Sequence, residues 1–272
     1  MRYGLDRHWW RDKYHSALVV PWWGFLLIAC GVYVGLNMLF AALYLAQPGS
    51  ISHVPDFDFA GAFFFSVQTM ATIGYGQLVP QTVYANILVT IEALSGMLII
   101  ALTTGLVFAR FSRPTARILF SRVAVIGVHD GMPTLFVRAG NERRNQILQA
   151  DVSMTFLRDE VTREGVAMRR FYDMKLVRAR TPIFALTFLI MHTIDEDSPF
   201  HGLTPETCAE IDGEIVVAVS GLDETMSQTI HARISYTAEE IRWNHRFTDI
   251  FGYTVDGQRA IDFGRFHDTE PL

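Results

Sequence analysis

Between Lys13 and Arg110 the chain carries no lysine or arginine, and the only acids in that interval are Asp56, Asp58 and Glu92. After Arg110 the charge density returns to that of an ordinary soluble protein. One part of the molecule therefore needs an apolar solvent and the other water, which suits a chain of 272 residues that is half hydrophobic overall. The net charge of -5 is mild and gives no reason to expect a nucleic-acid partner. Cys30 and Cys208 lie far apart in unlike surroundings, so no disulfide framework is expected.

The uncharged interval divides further. Ala17 to Ala46 is entered through Pro21, Trp22 and Trp23 and closed by Gln47-Pro48-Gly49-Ser50. As a helix, Trp22 to Ala46 would reach about 37 Å, enough to cross a bilayer with some tilt. A second span is expected from about Val83 to Phe111, interrupted only by Glu92, with Gly96 and Gly105 as points of close approach or bending. Phe59 to Ala71 is apolar and helical in character but too short to cross. The loop before it holds His53, Pro55 and Asp56 but no base, whereas Arg110, Arg113, Arg117 and Arg122 follow the second span. The positive-inside rule then places that loop outside and both termini in the cytoplasm. Residues 1–15, with Trp9, Trp10 and Tyr14 among Arg7, Arg11, Asp12 and Lys13, are expected to lie as a helix in the membrane interface. Charges and tryptophans follow the start directly, so no cleavable signal peptide is expected.

Between the short helix and the second span stands Thr72-Ile73-Gly74-Tyr75-Gly76. Irregular backbone at membrane depth is tolerated only where it lines a polar path. Backbone carbonyls aimed at one axis can replace the hydration shell of an ion, and aiming successive carbonyls alike requires positive φ at some residues, which glycine supplies cheaply. The run therefore predicts a potassium selectivity filter, with the Thr72 hydroxyl at its inner end and the Tyr75 ring turned outward. One chain supplies one wall, so four must assemble. The short helix would aim its negative end at the cation. Glu92, an acid within a span, must be paired or protonated, and its level on the second span suggests that it supports the short helix. Two alternatives stay open on these residues: a poorly selective cation pore, and a two-span receptor in which this run is only a tight turn.

From Val123 onward the pattern becomes short alternating stretches separated by turns such as His129-Asp130-Gly131-Met132-Pro133 and Arg163-Glu164-Gly165. Strands are expected at 123–128, 134–138, 147–158, 166–176, 183–192, 215–220, 229–236 and 247–251, which together predict an all-β sandwich. There is no dinucleotide fingerprint, no Walker loop and no metal-ligand spacing among the nine histidines. No cofactor and no catalytic residues are expected, the potassium ion being cargo.

Two spans around the filter stretch Ser66 to Gly76, then Arg110-Phe111-Ser112-Arg113-Pro114 and an all-β domain, resemble the inward-rectifier potassium channels, specifically their prokaryotic branch, often called KirBac. His192-Thr193-Ile194-Asp195-Glu196-Asp197-Ser198-Pro199 and Glu240-Ile241-Arg242-Trp243-Asn244-His245-Arg246-Phe247 carry the likeness into the β domain. The resemblance implies a homotetramer in the cytoplasmic membrane of a prokaryote. It divides the chain into a slide helix over 1–15, a pore domain over 16–113 and an immunoglobulin-like cytoplasmic domain over 114–272. It places Ile100, Thr104 and Phe108 along the cavity and inner gate, and Gly221 with Leu222 at a second, cytoplasmic constriction. Gln68 and Leu78 fall where eukaryotic members carry an ion pair behind the filter, which leaves support to Gln68 and Glu92. Arg110, Arg113 and Arg117 match members of a basic cluster for anionic lipid or phosphoinositide, although Thr115 and Ala116 replace two of its bases. Ile100, Val166 and Ser220 stand where strong rectifiers carry acids. A unit charge at 4 Å is worth about 4 kcal/mol at an effective dielectric of 20, so their loss predicts weak rectification, with Asp223 and Glu224 restoring part of the field.

Overall fold

A computed structural model describes residues 13–54, 58–253 and 259–272. The chain forms two compact units, Met1–Arg113 and Pro114–Leu272.

The first unit holds α1 (Lys13–Val19), α2 (Trp22–Leu45), α3 (Phe59–Met70) and α4 (Val83–Phe111). Pro21 separates α1 from α2, since it has no N–H to continue the ladder. Asp58 caps α3 by accepting from the Ala60 amide at 3.1 Å, and Thr82 caps α4 through the Ala85 amide at 3.1 Å. Both α2 and α4 are long and apolar enough to cross a membrane. Apart from 13–15, the interfacial helix expected over residues 1–15 lies outside the described residues. Burial concentrates where α3 is held between the two long helices: Phe40, Ala41, Tyr44, Ala62, Phe65, Met70 and Ala85 form one cluster, with the Tyr44 and Phe65 rings edge to face at 5.0 Å. Elsewhere α4 is open, with Met97, Leu102 and Phe111 each more than three-fifths exposed. Apolar surface on that scale needs lipid or other copies of the chain to cover it.

The second unit is a sandwich of two five-stranded sheets. One contains β1 (Ile118–Phe120), β2 (Ala124–His129), β3 (Met132–Asn141), β7 (Thr187–Thr193) and β10 (Ile241–Trp243); the other contains β4 (Ile147–Val161), β5 (Ala167–Asp173), β6 (Arg180–Phe184), β8 (Glu214–Asp223) and β9 (Gln228–Thr237). Helix α5 (Pro205–Glu210) precedes β8, and β11 (His245–Phe247), β12 (Phe251–Tyr253), β13 (Arg259–Ile261) and β14 (Thr269–Pro271) form two small ladders. Leu135, Val137 and Ile190 from one sheet join Phe156, Ile215, Val217 and Val219 from the other in a single core.

The structure corrects the expected strands in three places. The stretch 183–192 is two strands in different sheets, because the chain crosses the sandwich at Ala185-Leu186 between β6, paired with β4, and β7, paired with β3. The stretch 166–176 ends early: β5 stops at Asp173, and the next amide, of Met174, bonds the Met154 carbonyl across the sheet. The stretch 247–251 spans the gap between β11 and β12.

Both β-domain motifs have a local physical reason. His192 donates from Nδ1 to the Lys175 carbonyl at 2.8 Å, which leaves Nε2 to accept from Ser198 Oγ at 2.7 Å, so the first motif closes on itself. Burial pushes this imidazole below its ordinary pKa. In the second motif, Asn244 at φ 55° turns the chain from β10, parallel to β2, into β11, antiparallel to β14.

Candidate ion-conduction site

The run after α3 is an irregular backbone anchored from behind. Amides of Ala71 and Thr72 bond the carbonyls of Val67 and Thr69, and those of Ile73 and Gly74 share the Gln68 carbonyl at 2.8 and 3.3 Å. These bonds satisfy the last carbonyls of α3, which a helix end otherwise leaves open. Gln68 thus meets the run through its main chain. Three alternate residues have positive φ: Thr72 at 57°, Gly74 at 55° and Gly76 at 81°. The two glycines match the spacing argument, while Thr72 is a β-branched residue in a region such residues rarely enter. Among the described residues, the carbonyl oxygens of Thr72, Ile73, Gly74 and Tyr75 accept no hydrogen bond. Four successive free carbonyls are what a dehydrated cation requires. The Tyr75 ring is 76% exposed within one chain.

Behind the run, Glu92 is fully buried. Its Oε2 accepts from the Tyr44 hydroxyl at 2.6 Å, and its Oε1 makes a short contact with Ser66 Oγ, which lies 3.0 Å from Asn37 Oδ1. Asn37, Tyr44 and Ser66 were not singled out by sequence; the signal was there in the rule that a buried acid needs partners, but which helix faces meet is not written in one segment. Gly96 lies where α4 passes the end of α3, since a Cβ there would stand 2.6 Å from the Met70 carbonyl oxygen. Leu78 packs at the edge of the same cluster.

Ile100, Thr104 and Phe108 follow one another at helical spacing along α4 and are all exposed, Phe108 at 72%. Arg110 is committed within its own unit: its guanidinium donates to the carbonyls of Ala17, at 2.6 Å, and Val20, and lies 4.7 Å from the Trp22 ring and 4.9 Å from that of Phe25. Among the described residues, the Arg113 side chain makes one long contact, 3.5 Å to the Leu18 carbonyl, and Arg117 is exposed.

In the β unit, Gly221 and Leu222 lie on β8 opposite a bulge in β4, where Gln149 has φ 48° and the register shifts between Leu148 and Asp151. A Cβ on Gly221 would stand 2.5 Å from Ile147 Cγ2 and 3.2 Å from the Ala150 Cα, so the bulge and the glycine require each other. One charge expectation is corrected here. Asp223 is 1% exposed and accepts from Arg143 at 3.0 Å, Asn145 at 2.9 Å and the amides of Thr225 and Met226, so its charge is neutralised in place and only Glu224 remains to add to a field. Val166 closes the turn beyond β4, and Ser220 on β8 is paired with Asp151 of β4.

Comparison with known proteins agrees with this geometry. Residues 118–272 match the family model of the inward rectifier potassium channel C-terminal domain, and 24–113 match that of an ion channel. The chain is 47% identical to the inward rectifier potassium channel Kirbac3.1 of Paramagnetospirillum magnetotacticum over 98% of this chain and 91% of that protein. It is 37% identical to the human inward rectifier potassium channel 4, over 83% of this chain but only 52% of that one. The two apolar helices, the β-sandwich and these relatives place the chain in the inward-rectifier potassium channel family, on its prokaryotic side, as a membrane potassium channel and not an enzyme.

Proposed function

We propose that four copies of the chain surround one axis, with K+ coordinated by the carbonyls of Thr72, Ile73, Gly74 and Tyr75 and, at the inner end, by the Thr72 hydroxyl. The four free carbonyls behind alternating positive φ carry this reading. Gly76 ends the filter, and Gln68 and Glu92 support it from behind. Ile100 and Thr104 line the cavity. Four Phe108 rings form an apolar inner gate that closes by dewetting. Gly221 and Leu222 form a second constriction in the β domain. The protein sits in the cytoplasmic membrane with both termini inside. Anionic lipid, phosphoinositide included, modulates the gate through Arg113 and Arg117, each base near the surface contributing about 1 kcal/mol, while Arg110 acts from within the helical unit. The domain limits that follow are 1–15, 16–113 and 114–272.

Rubidium tracer uptake into liposomes holding the purified protein tests the pore. Uptake blocked by Ba2+, resistant to excess Na+ and lost in Gly74→Ala is expected. A folded preparation that passes no rubidium in any lipid would sink the reading; uptake abolished by Na+ would replace it with a poorly selective pore.

A further inference from the structure

Asn37 and Tyr44 on α2, Ser66 on α3 and Glu92 on α4 meet in one fully buried cluster. Its hydrogens can be counted. Asn37 Nδ2 donates to the Tyr33 carbonyl at 2.8 Å and lies 3.4 Å from Met70 Sδ. Both are acceptors, which fixes the orientation of the amide and leaves Oδ1 facing Ser66 Oγ. An amide oxygen has no proton to give, so the single hydroxyl proton of Ser66 belongs to Asn37. The contact between Ser66 Oγ and Glu92 Oε1 then holds no proton from the serine side. If Ser66 turned its proton to Glu92 instead, its oxygen and that of Asn37 would face each other at 3.0 Å with nothing between them. On the other carboxyl oxygen the Tyr44 phenol is already the donor.

We infer that Glu92 resides here as a neutral carboxylic acid that donates to Ser66, completing a one-way chain from Glu92 through Ser66 and Asn37 to the Tyr33 carbonyl. Among the described residues no lysine, arginine or histidine bonds to Glu92, and Tyr44 is the one other titratable group facing it. Asn37, Tyr44 and Ser66 thereby become positioning residues. Ser66 lies two residues before Gln68, whose carbonyl holds the amides of Ile73 and Gly74. An uncharged brace fixes that carbonyl without setting a permanent anion behind the filter to compete for the cation. The effect on conduction rests on the filter reading above; the proton does not.

Infrared spectroscopy of the full chain in lipid tests the proton directly. The wild type is expected to show the carbonyl stretch of a neutral acid between about pH 6 and 8, a range in which an exposed glutamate is ionised. That band should vanish in Glu92→Gln. The glutamine can still donate to Ser66 and accept from Tyr44, so its rubidium uptake should stay within about twofold of wild type. Ser66→Ala and Glu92→Ala, which leave a buried group unpaired, should each lose about tenfold. Absence of the band in folded wild type, or Glu92→Gln as impaired as Glu92→Ala, would overturn the inference. A wild type that shows the band yet passes no rubidium would overturn the channel reading and leave the proton in place.

Discussion

Gly96 has no room for a side chain. The neighbour a Cβ would strike is the Met70 carbonyl, 2.6 Å away, which is backbone at the end of α3 and cannot rotate aside. Gly96→Ala must therefore push α4 off α3, at a cost of about 1–3 kcal/mol. Lower thermal stability together with reduced rubidium uptake is expected, and wild-type values for both would show that the close approach is dispensable. The backbone of the 72–76 run was legible at this scale because glycine spacing reports directly on backbone dihedrals: Gly74 and Gly76 have the positive φ that their positions demand. Thr72 was not legible as a third such residue, since its type argues against the conformation it adopts. Nor was the meeting of Asn37, Ser66 and Tyr44 with Glu92, which depends on the rotation of three helices about their own axes.

At the scale of elements, the hairpin of β8 and β9 is held at its tip by Asp223. Desolvation opposes ionisation of this carboxylate, but bonds from Asn145, the Met226 amide, Arg143 and the Thr225 amide outweigh it and hold the group below the ordinary aspartate value. A depressed native pKa adds stability that is fully present above the unfolded value of about 3.9 and is lost as pH falls through the lower native one. Acid unfolding of the β unit followed by circular dichroism should therefore begin below about pH 4. Asp223→Asn should be less stable at neutral pH and should show a shallower acid limb; an unchanged limb would mean that the hairpin is held by other contacts. The long strands were legible from alternation. Strands β1, β10, β13 and β14, three residues each, were not, because alternation has no meaning over so short a run. The crossing between β6 and β7 was hidden for a different reason: Ala185-Leu186 carries no glycine or proline to mark a break.

For the whole molecule, charge along the conduction path decides how strongly polyvalent cations block. Ile100 is apolar and Asp223 is spent on Arg143, so little fixed negative charge remains at the positions identified. Ile100→Asp should strengthen block of outward current by Mg2+ or a polyamine by at least about tenfold, equivalent to about 1.4 kcal/mol. Equal block in both proteins, recorded in planar bilayers, would remove Ile100 from the cavity wall. The clasp of Arg110 on the carbonyls of Ala17 and Val20 bears on movement at the C-terminal end of α4. Those carbonyls belong to the last turn of α1 and the residue that follows Val19, so the base of one long helix serves as the end-piece of a short one. The C-terminal tip of α4 cannot swing away without either tearing two charge-assisted bonds or dragging the α1–α2 corner along. A displacement of that corner would therefore be passed through a single guanidinium to the end of α4, two residues from Phe108.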